Sequence, residues 1–353
     1  MRNQKKIILL LVLIFLMSTA TACMGGHDIQ EMRKKIKKEL YEEYGEEFVV
    51  DRIGTRSSRG EEFYQARIYP KSIIGTLKEG DEYYYGEATV EKKAFELGNV
   101  GNNYGEIKRN IEIENDLLDK AKELYGKKVL LKADQRYQKR NSNGYFVGYL
   151  DPSYEEVMRR INKEPSQHRL LLNLDIYIFD RIEDRKEKEQ RRKDIFQFVQ
   201  HLKEKGLFEY LEMRVVIMDE RVLAPSYDKF ARKVYFADKI EKEIPEENTT
   251  VKLPPLKLRK KMSKELQKEV MEISEKELLS NMQKIRKDEL TYDEIGRWNC
   301  HYQSIIYSEG ILKEKYSTSL EKHPEVLRNY GELEDIKIGP NLEYIYINQG
   351  GEK

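Results

Sequence analysis

The segment from Arg169 to Asp180, "RLLLNLDIYIFD", constrains the fold more than any other part of the chain. Leu170, Leu172, Leu174, Ile176 and Ile178 occupy alternate positions. Successive side chains of a strand point to opposite faces, so these five aliphatics share one face. A helix, with 3.6 residues per turn, would scatter them around its axis. The other face mixes Asn173 and Asp175 with Leu171, Tyr177 and Phe179. That pattern predicts a central strand with one face wholly in the core. The chain must therefore build a sheet around this strand and cover at least one side of it.

The covering elements are legible as helices that recur before strands. Ile29, Met32, Ile36 and Leu40 fall at spacings of three and four among Lys and Glu, predicting a helix over 29–44 with Gly45 as its C-cap. Strands follow at Phe48–Ile53 and Glu62–Tyr69. A similar order returns in "LLDKAKELYGKKVLLKAD", residues 117–134, beside "IKKELYEEYGEEFVVDRI", residues 36–53. A third variant runs from Ile195 to Met218, with Gly206 at its centre. The periods match no known solenoid. Asn143-Gly144 marks a hairpin, and Ser153 with Glu156 a capping box for a helix through Ile161. The fold class is thus α+β, with helix–strand units packing helices on a mixed or antiparallel sheet. We expect this domain to span 29–245.

Pro245, Pro254 and Pro255 punctuate a polar stretch and suggest a domain boundary. From 256 to 353 the pattern is mainly helical. A stripe through Leu266, Val270 and Ile273 breaks at the capping box Ser274/Glu277. Thr291/Glu294 opens another helix, with Ile295, Trp298, Tyr302 and Ile305 on one face. Leu342–Ile347 reads as a final strand.

Positive charge at Arg2, Lys5 and Lys6 precedes an apolar run from Ile7 to Met17 and small residues from Ser18 to Ala22. This is the layout of a secretory signal peptide over residues 1–22. The run falls well short of the roughly 20 apolar residues a spanning helix needs. Cys23 follows at once. "ATAC", residues 20–23, resembles the lipobox of bacterial lipoproteins, with Ala20 where that family prefers Leu. The resemblance covers residues 1–23. It implies that the Cys23 sulfur carries a diacylglyceryl group, that cleavage makes Cys23 the new N-terminus, and that residues 23–28 form a lipidated tether. The expected location is the extracytoplasmic face of the cell membrane, with palmitate-type acyl chains as the anchor.

Charged residues make up 36% of the chain, yet the net charge is +1. That balance argues against a nucleic-acid partner, which calls for a basic excess on one segment. With Cys23 lipidated, Cys300 is the remaining thiol, so no disulfide staples the fold and a hydrophobic core must hold it.

Chemistry is sparse. In "WNCHY", residues 298–302, Cys300 and His301 are neighbours and project apart on a helix. An incidental, partly exposed thiol is the simpler reading than a nucleophile. The five histidines, His27, His168, His201, His301 and His323, lack metal-ligand spacing. "GNVGNNYG", residues 98–105, has neither a Rossmann nor a P-loop pattern and reads as a mobile loop. The run at 183–193 reads as a solvated helix start. No cofactor is indicated. The leading expectation is a non-enzymatic binding or interaction module facing a protein or cell-envelope ligand. The alternatives are a cell-envelope hydrolase whose site assembles only in the fold, and a solute-binding component of a transporter.

Overall fold

The computed structural model describes residues 28–93, 96–148, 153–227, 229–230, 256–286, 302–322 and 324–339. Two compact units emerge from its contacts, one ending at Ile107 and the other beginning at Lys108.

In the first unit, helix α1 (Ile29–Tyr44) is capped at its start by the Asp28 side chain and closed by Gly45 at φ 70°. It leads into four antiparallel strands in sequence order. These are β1 (Phe48–Ser58), β2 (Glu61–Pro70), β3 (Gly86–Lys92) and β4 (Leu97–Asn102). Met32, Ile36 and Leu40 are buried on α1, as the spacing predicts. Tyr64, Ala66, Ile68, Ala88 and Val90 are buried on the sheet. Strand β1 runs past the expected Ile53 through polar residues to Ser58. Arg59 and Gly60, both at positive φ, form the two-residue turn that pairs Ser58 with Glu61. The stretch at 98–105, expected as a loop, is instead mostly strand. Val100 pairs with Val90 and Asn102 with Ala88. Its glycines accept this geometry because the sheet supplies ladder partners that local sequence does not reveal.

The second unit holds a five-stranded mixed sheet of order β6-β5-β7-β8-β9. Helix α2 (Tyr104–Tyr125), which contains the division between the units, ends at Gly126 (φ 86°). Strand β5 (Val129–Arg140) turns through Asn143-Gly144 into β6 (Phe146–Gly148), the predicted hairpin. Helix α3 (Tyr154–Lys163) starts at Ser153, whose side chain accepts from the Glu156 N–H. Strand β7 (His168–Phe179) is central, antiparallel to β5 and parallel to β8 (Leu211–Met218). The β7–β8 crossover is helix α4 (Arg185–Glu204).

The five predicted aliphatics of β7 enter one core with Ile113, Leu117 and Ala121 of α2, Val157 of α3, and Ile195, Phe198, Val199 and Leu202 of α4. Leu171 points to the other face, where it meets Tyr307, Ile311 and Leu312. The sequence pattern had placed Leu171 there, and both faces at that end of the strand are covered.

Helices α5 (Leu256–Glu272) and α6 (Glu275–Arg286) are separated at the predicted break, where Ser274 Oγ accepts from the Glu277 N–H at 3.3 Å. One expectation fails. The stripe that placed Tyr302 and Ile305 on a helix falls in part on strand β9 (Tyr302–Tyr307), antiparallel to β8. Three- and four-residue spacing over so short a segment cannot separate a helix from an edge strand, and the exposed hydrogen-bonding edge of β8 decides the outcome. Tyr302–Tyr307 thus adds a strand to the five-stranded sheet. Short helices α7 (Glu309–Lys315) and α8 (Ser317–Lys322) follow. The proline-rich boundary, Ile295, Trp298, Cys300, the Thr291 cap and the strand expected at 342–347 lie outside the described residues, as do Cys23 and the segment before it.

Candidate binding cleft

A cleft of about 620 Å³ opens in the second unit between the end of α4, the start of β8, the start of α7 and the loop at 328–329. Small-ligand sites fall in the range of roughly 300–1,000 Å³. Its walls carry the bases Lys203, Lys313 and Arg328, the acids Glu209 and Glu309, and the rings of Phe208 and Tyr210.

Local chemistry fixes each wall. Gly206, at φ 70°, ends α4 and turns the chain toward Phe208. Ser308 Oγ accepts from the Leu211 N–H at 2.8 Å and the Ile311 N–H at 3.3 Å, tying the start of β8 to the start of α7. Gly310 sits where any Cβ would lie 2.4 Å from the Glu209 carbonyl oxygen. Only glycine allows α7 to approach β8 this closely.

The third wall is held in a strained conformation. Tyr330 is buried at φ 51°, an outlier for a bulky residue. Its carbonyl accepts from Gln200 Nε2 at 3.0 Å and Lys203 Nζ at 3.1 Å, and its hydroxyl accepts from the Tyr307 N–H at 3.3 Å. The Phe208 ring meets it edge-on at 6.0 Å. Strain of this kind costs on the order of 1–3 kcal/mol and persists only where the surroundings over-determine it. Here it presents Arg328 and Asn329 at the cleft. Asn329 Oδ1 accepts from the Gly331 N–H at 2.9 Å, closing the turn.

Lys203 is pinned by the carbonyls of Asn329, at 2.7 Å, and Tyr330. Burial lowers its pKa, with Asp335 opposing the change. Lys313 pairs with Glu309. Arg328 donates only to the Asp335 carbonyl, at 3.4 Å. Among the described residues no carboxylate lies within ion-pair distance of it. The cleft thus offers an aromatic wall, one unpaired guanidinium and a half-buried ammonium.

A smaller cleft, about 320 Å³, lies on the open face of the first unit's sheet and includes Arg52, Arg56, Gln65, Arg67 and Tyr85. Its charges are largely spent internally. Arg67 grips Asp51 with two hydrogen bonds, at 2.7 and 2.5 Å, and the hydrogen bond from Arg67 holds the Asp51 carboxyl below its ordinary pKa. The Arg67 guanidinium stands 4.6 Å over the Tyr85 ring. Arg56 donates to Gln65, and Gln65 to Glu87.

Of the residues singled out from sequence, His168 and His201 are described. The His168 Nδ1 lies 2.7 Å from the Tyr137 hydroxyl, and desolvation lowers its pKa. His201 is lowered for the same primary cause, with Lys205 and Lys120 adding to it. Neither lines the larger cleft. His27, Cys300, His301 and His323 lie outside the described residues. Among the described residues no group of three or more His, Cys, Asp or Glu is arranged to hold a metal ion. Burial raises the pKa of the Asp194 carboxyl. Arg191 bridges Asp194 to Asp180 at the carboxyl end of β7, and Asp194 lines neither cleft. Sequence reasoning missed Lys203, Phe208, Arg328 and Tyr330. Each is an ordinary helix or loop residue, and no spacing links positions more than a hundred residues apart.

The two sheets and this cleft define an α+β protein with a recess that is partly aromatic and lined by charges of both signs. No family model and no curated protein matches the chain. A crystal structure of a DUF5037 family protein from Ruminococcus gnavus is similar at 14% identity, over 79% of this chain and 93% of that one, with a TM-score of 0.35.

Proposed function

We propose that the protein is a lipoprotein held on the extracytoplasmic face of the cell membrane through Cys23, and that its exported part is a non-enzymatic binding module. Its ligand site is the cleft at Lys203, Phe208 and Arg328, and the ligand is a small anionic component of the cell envelope. The observation that carries the site is the over-determined Tyr330 turn, which fixes a guanidinium lacking a carboxylate partner beside an aromatic wall. Preorganised polar groups lower the ordering cost of binding.

The hydrolase alternative calls for a perturbed acid facing a cleft, and the raised carboxyl of Asp194 is instead held by Arg191 elsewhere. The solute-binding alternative calls for doubly wound lobes, whereas one sheet is antiparallel and the other has a single parallel pair among its described strands. Calorimetry against sugar phosphates and acidic envelope peptides tests the site. Arg328→Ala should weaken any such ligand about tenfold or more, equivalent to ~1.4 kcal/mol, with Arg56→Ala neutral. Binding that ignores Arg328 would refute the site. Metabolic labelling with a fatty-acid analogue tests the anchor, and label that persists in Cys23→Ser would refute it.

A further inference from the structure

The larger cleft is lined by two opposite charges that the protein does not pair. Arg328 is half-buried and donates to the Asp335 carbonyl. Glu209 is exposed, on the segment between Gly206 and β8. Among the described residues no base lies within ion-pair distance of its carboxylate. The bases nearest it in sequence, Lys205 and Arg214, pair with Asp116 and Asp175. The cleft's own Lys313 pairs with Glu309. Lys203 is charged but gives hydrogen bonds to the Asn329 and Tyr330 carbonyls. Arg328 and Glu209 are therefore the uncommitted pair.

Their backbones are fixed, which keeps them from closing on each other. The Glu209 carbonyl packs so tightly on Gly310 that a Cβ there would lie 2.4 Å from it. Arg328 leads into the Tyr330 turn, whose carbonyl is held by Gln200 and Lys203. A ligand with anionic groups alone fits such a cleft poorly. It sets a like charge beside Glu209, and like-charge juxtaposition is a common means of rejecting wrong partners. A ligand with an ammonium as well as carboxylates satisfies both groups. A carboxylate matches the planar fork of the Arg328 guanidinium. An ammonium offers compact donors that the Glu209 carboxylate can accept. Phe208 and Tyr210 line the same cleft. Lys203 Nζ stands 4.9 Å over the Phe208 ring, and the Arg169 guanidinium 5.5 Å over that of Tyr210. Rings braced in this way supply fixed apolar area for the stem between the ligand's charges.

We propose that the cleft takes a short acidic peptide with a free amino end, a carboxylate on Arg328 and the ammonium on Glu209. The inference rests on the reading of this cleft as the ligand site and names the ligand within the anionic class. Two carboxylates and one ammonium complement Arg328, Lys203 and Glu209, so the peptide carries a net negative charge.

Calorimetry on the full chain tests it with three probes: the dipeptide alanyl-glutamate, its N-acetylated form and glucose 6-phosphate. Acetylation removes the ammonium and should weaken binding about fivefold, the scale of a solvent-exposed ion pair. Glu209→Gln should weaken the free dipeptide by about the same factor and leave the acetylated form unchanged or tighter. The penalty for acetylation should then vanish in this variant, a coupling that a merely structural role for Glu209 would not produce. Circular dichroism should match wild type. Equal binding of the free and acetylated dipeptides, or equal weakening of both by Glu209→Gln, overturns the proposal. Failure of the dipeptide to bind, or tighter binding of glucose 6-phosphate, also overturns it, and leaves the cleft reading in place where Arg328→Ala still weakens the phosphate. Binding of every probe that is indifferent to Arg328→Ala refutes the site and the peptide together.

Discussion

Strand β5 has an edge that the sheet itself does not satisfy. It pairs with β7 from Val129 to Lys139, but with β6 only from Gln138 to Arg140. Helix α2 covers part of the remainder. Glu114 Oε1 accepts from the Ala133 N–H, and Asn110 Oδ1 from the Gln135 N–H, each at 3.0 Å. Both side chains are buried, at 2% and 4% exposure, so water cannot replace them. Leaving a buried donor unpaired costs about 1–3 kcal/mol, towards the upper end where the lost partner is charged. Glu114→Leu keeps the bulk and removes the acceptor. Glu114→Gln keeps a carbonyl oxygen in place. Because two units need not unfold together, a single denaturation midpoint is a poor readout. Native-state hydrogen exchange reads the two amides directly. The Ala133 amide should exchange about 5- to 150-fold faster in Glu114→Leu, at tenfold per 1.4 kcal/mol, and much less altered in Glu114→Gln. Asn110→Leu should do the same at Gln135. If the Leu and Gln variants speed Ala133 equally, or neither does, then α2 does not cap this edge.

Leu174→Ala in β7 should destabilise the second unit by about 2–5 kcal/mol, the usual range for a buried large-to-Ala change. Asn173→Ala, on the other face, should cost less; reversed denaturation midpoints would mean that the facing is wrong. Arg169 is buried beneath Phe146 and held by Glu314 at 2.8 and 2.7 Å, so Glu314→Ala should cost about 1–3 kcal/mol, discounted because Glu314 is itself partly exposed. Proteolysis should then cut first near α7, and protection there equal to wild type would refute the link. His168 and His201 both have lowered pKa values in the folded chain. The unfolded chain therefore binds more protons as pH falls below about 6.5, so stability is full above that value and declines beneath it. A double His→Gln variant should flatten this part of the stability–pH curve, and an unchanged slope would show that other groups set it.

Much of the fold was legible because burial writes itself into spacing. The β7 alternation, the α1 stripe and the caps at Ser153 and Ser274 each predict an element that forms. Errors arose where a partner, and not local sequence, decides. Leu97–Asn102 is glycine-rich and still a strand, because β3 offers it an edge. Tyr302–Tyr307 has helical spacing and still pairs with β8. The cleft was invisible for a related reason. Lys203, Phe208, Ser308 and Arg328 converge only after β8 and β9 pair, and the device that fixes them is a backbone angle at Tyr330. Side-chain identity does not reveal a tyrosine in the left-handed region.

The recurring helix–glycine–strand unit shows where local likeness stops. Gly45, Gly126 and Gly206 all take positive φ, at 70°, 86° and 70°. That shared conformation ends each helix, and it explains the similarity of the three sequences without further assumption. The strands that follow are placed differently. Strand β1 is the edge of an antiparallel sheet, β5 runs antiparallel to β7, and β8 runs parallel to it. Directions differ because the connections differ. A two-residue turn returns β1 to its neighbour β2, while α4 carries the chain back over the sheet so that β8 lies parallel to β7. The unit is thus a reusable way of ending a helix before a strand, and the connection that follows it decides which strand pairs with which. It also decides where the cleft forms: α4 delivers Lys203 beside the start of β8, and the later segment at 328–329 closes the third wall.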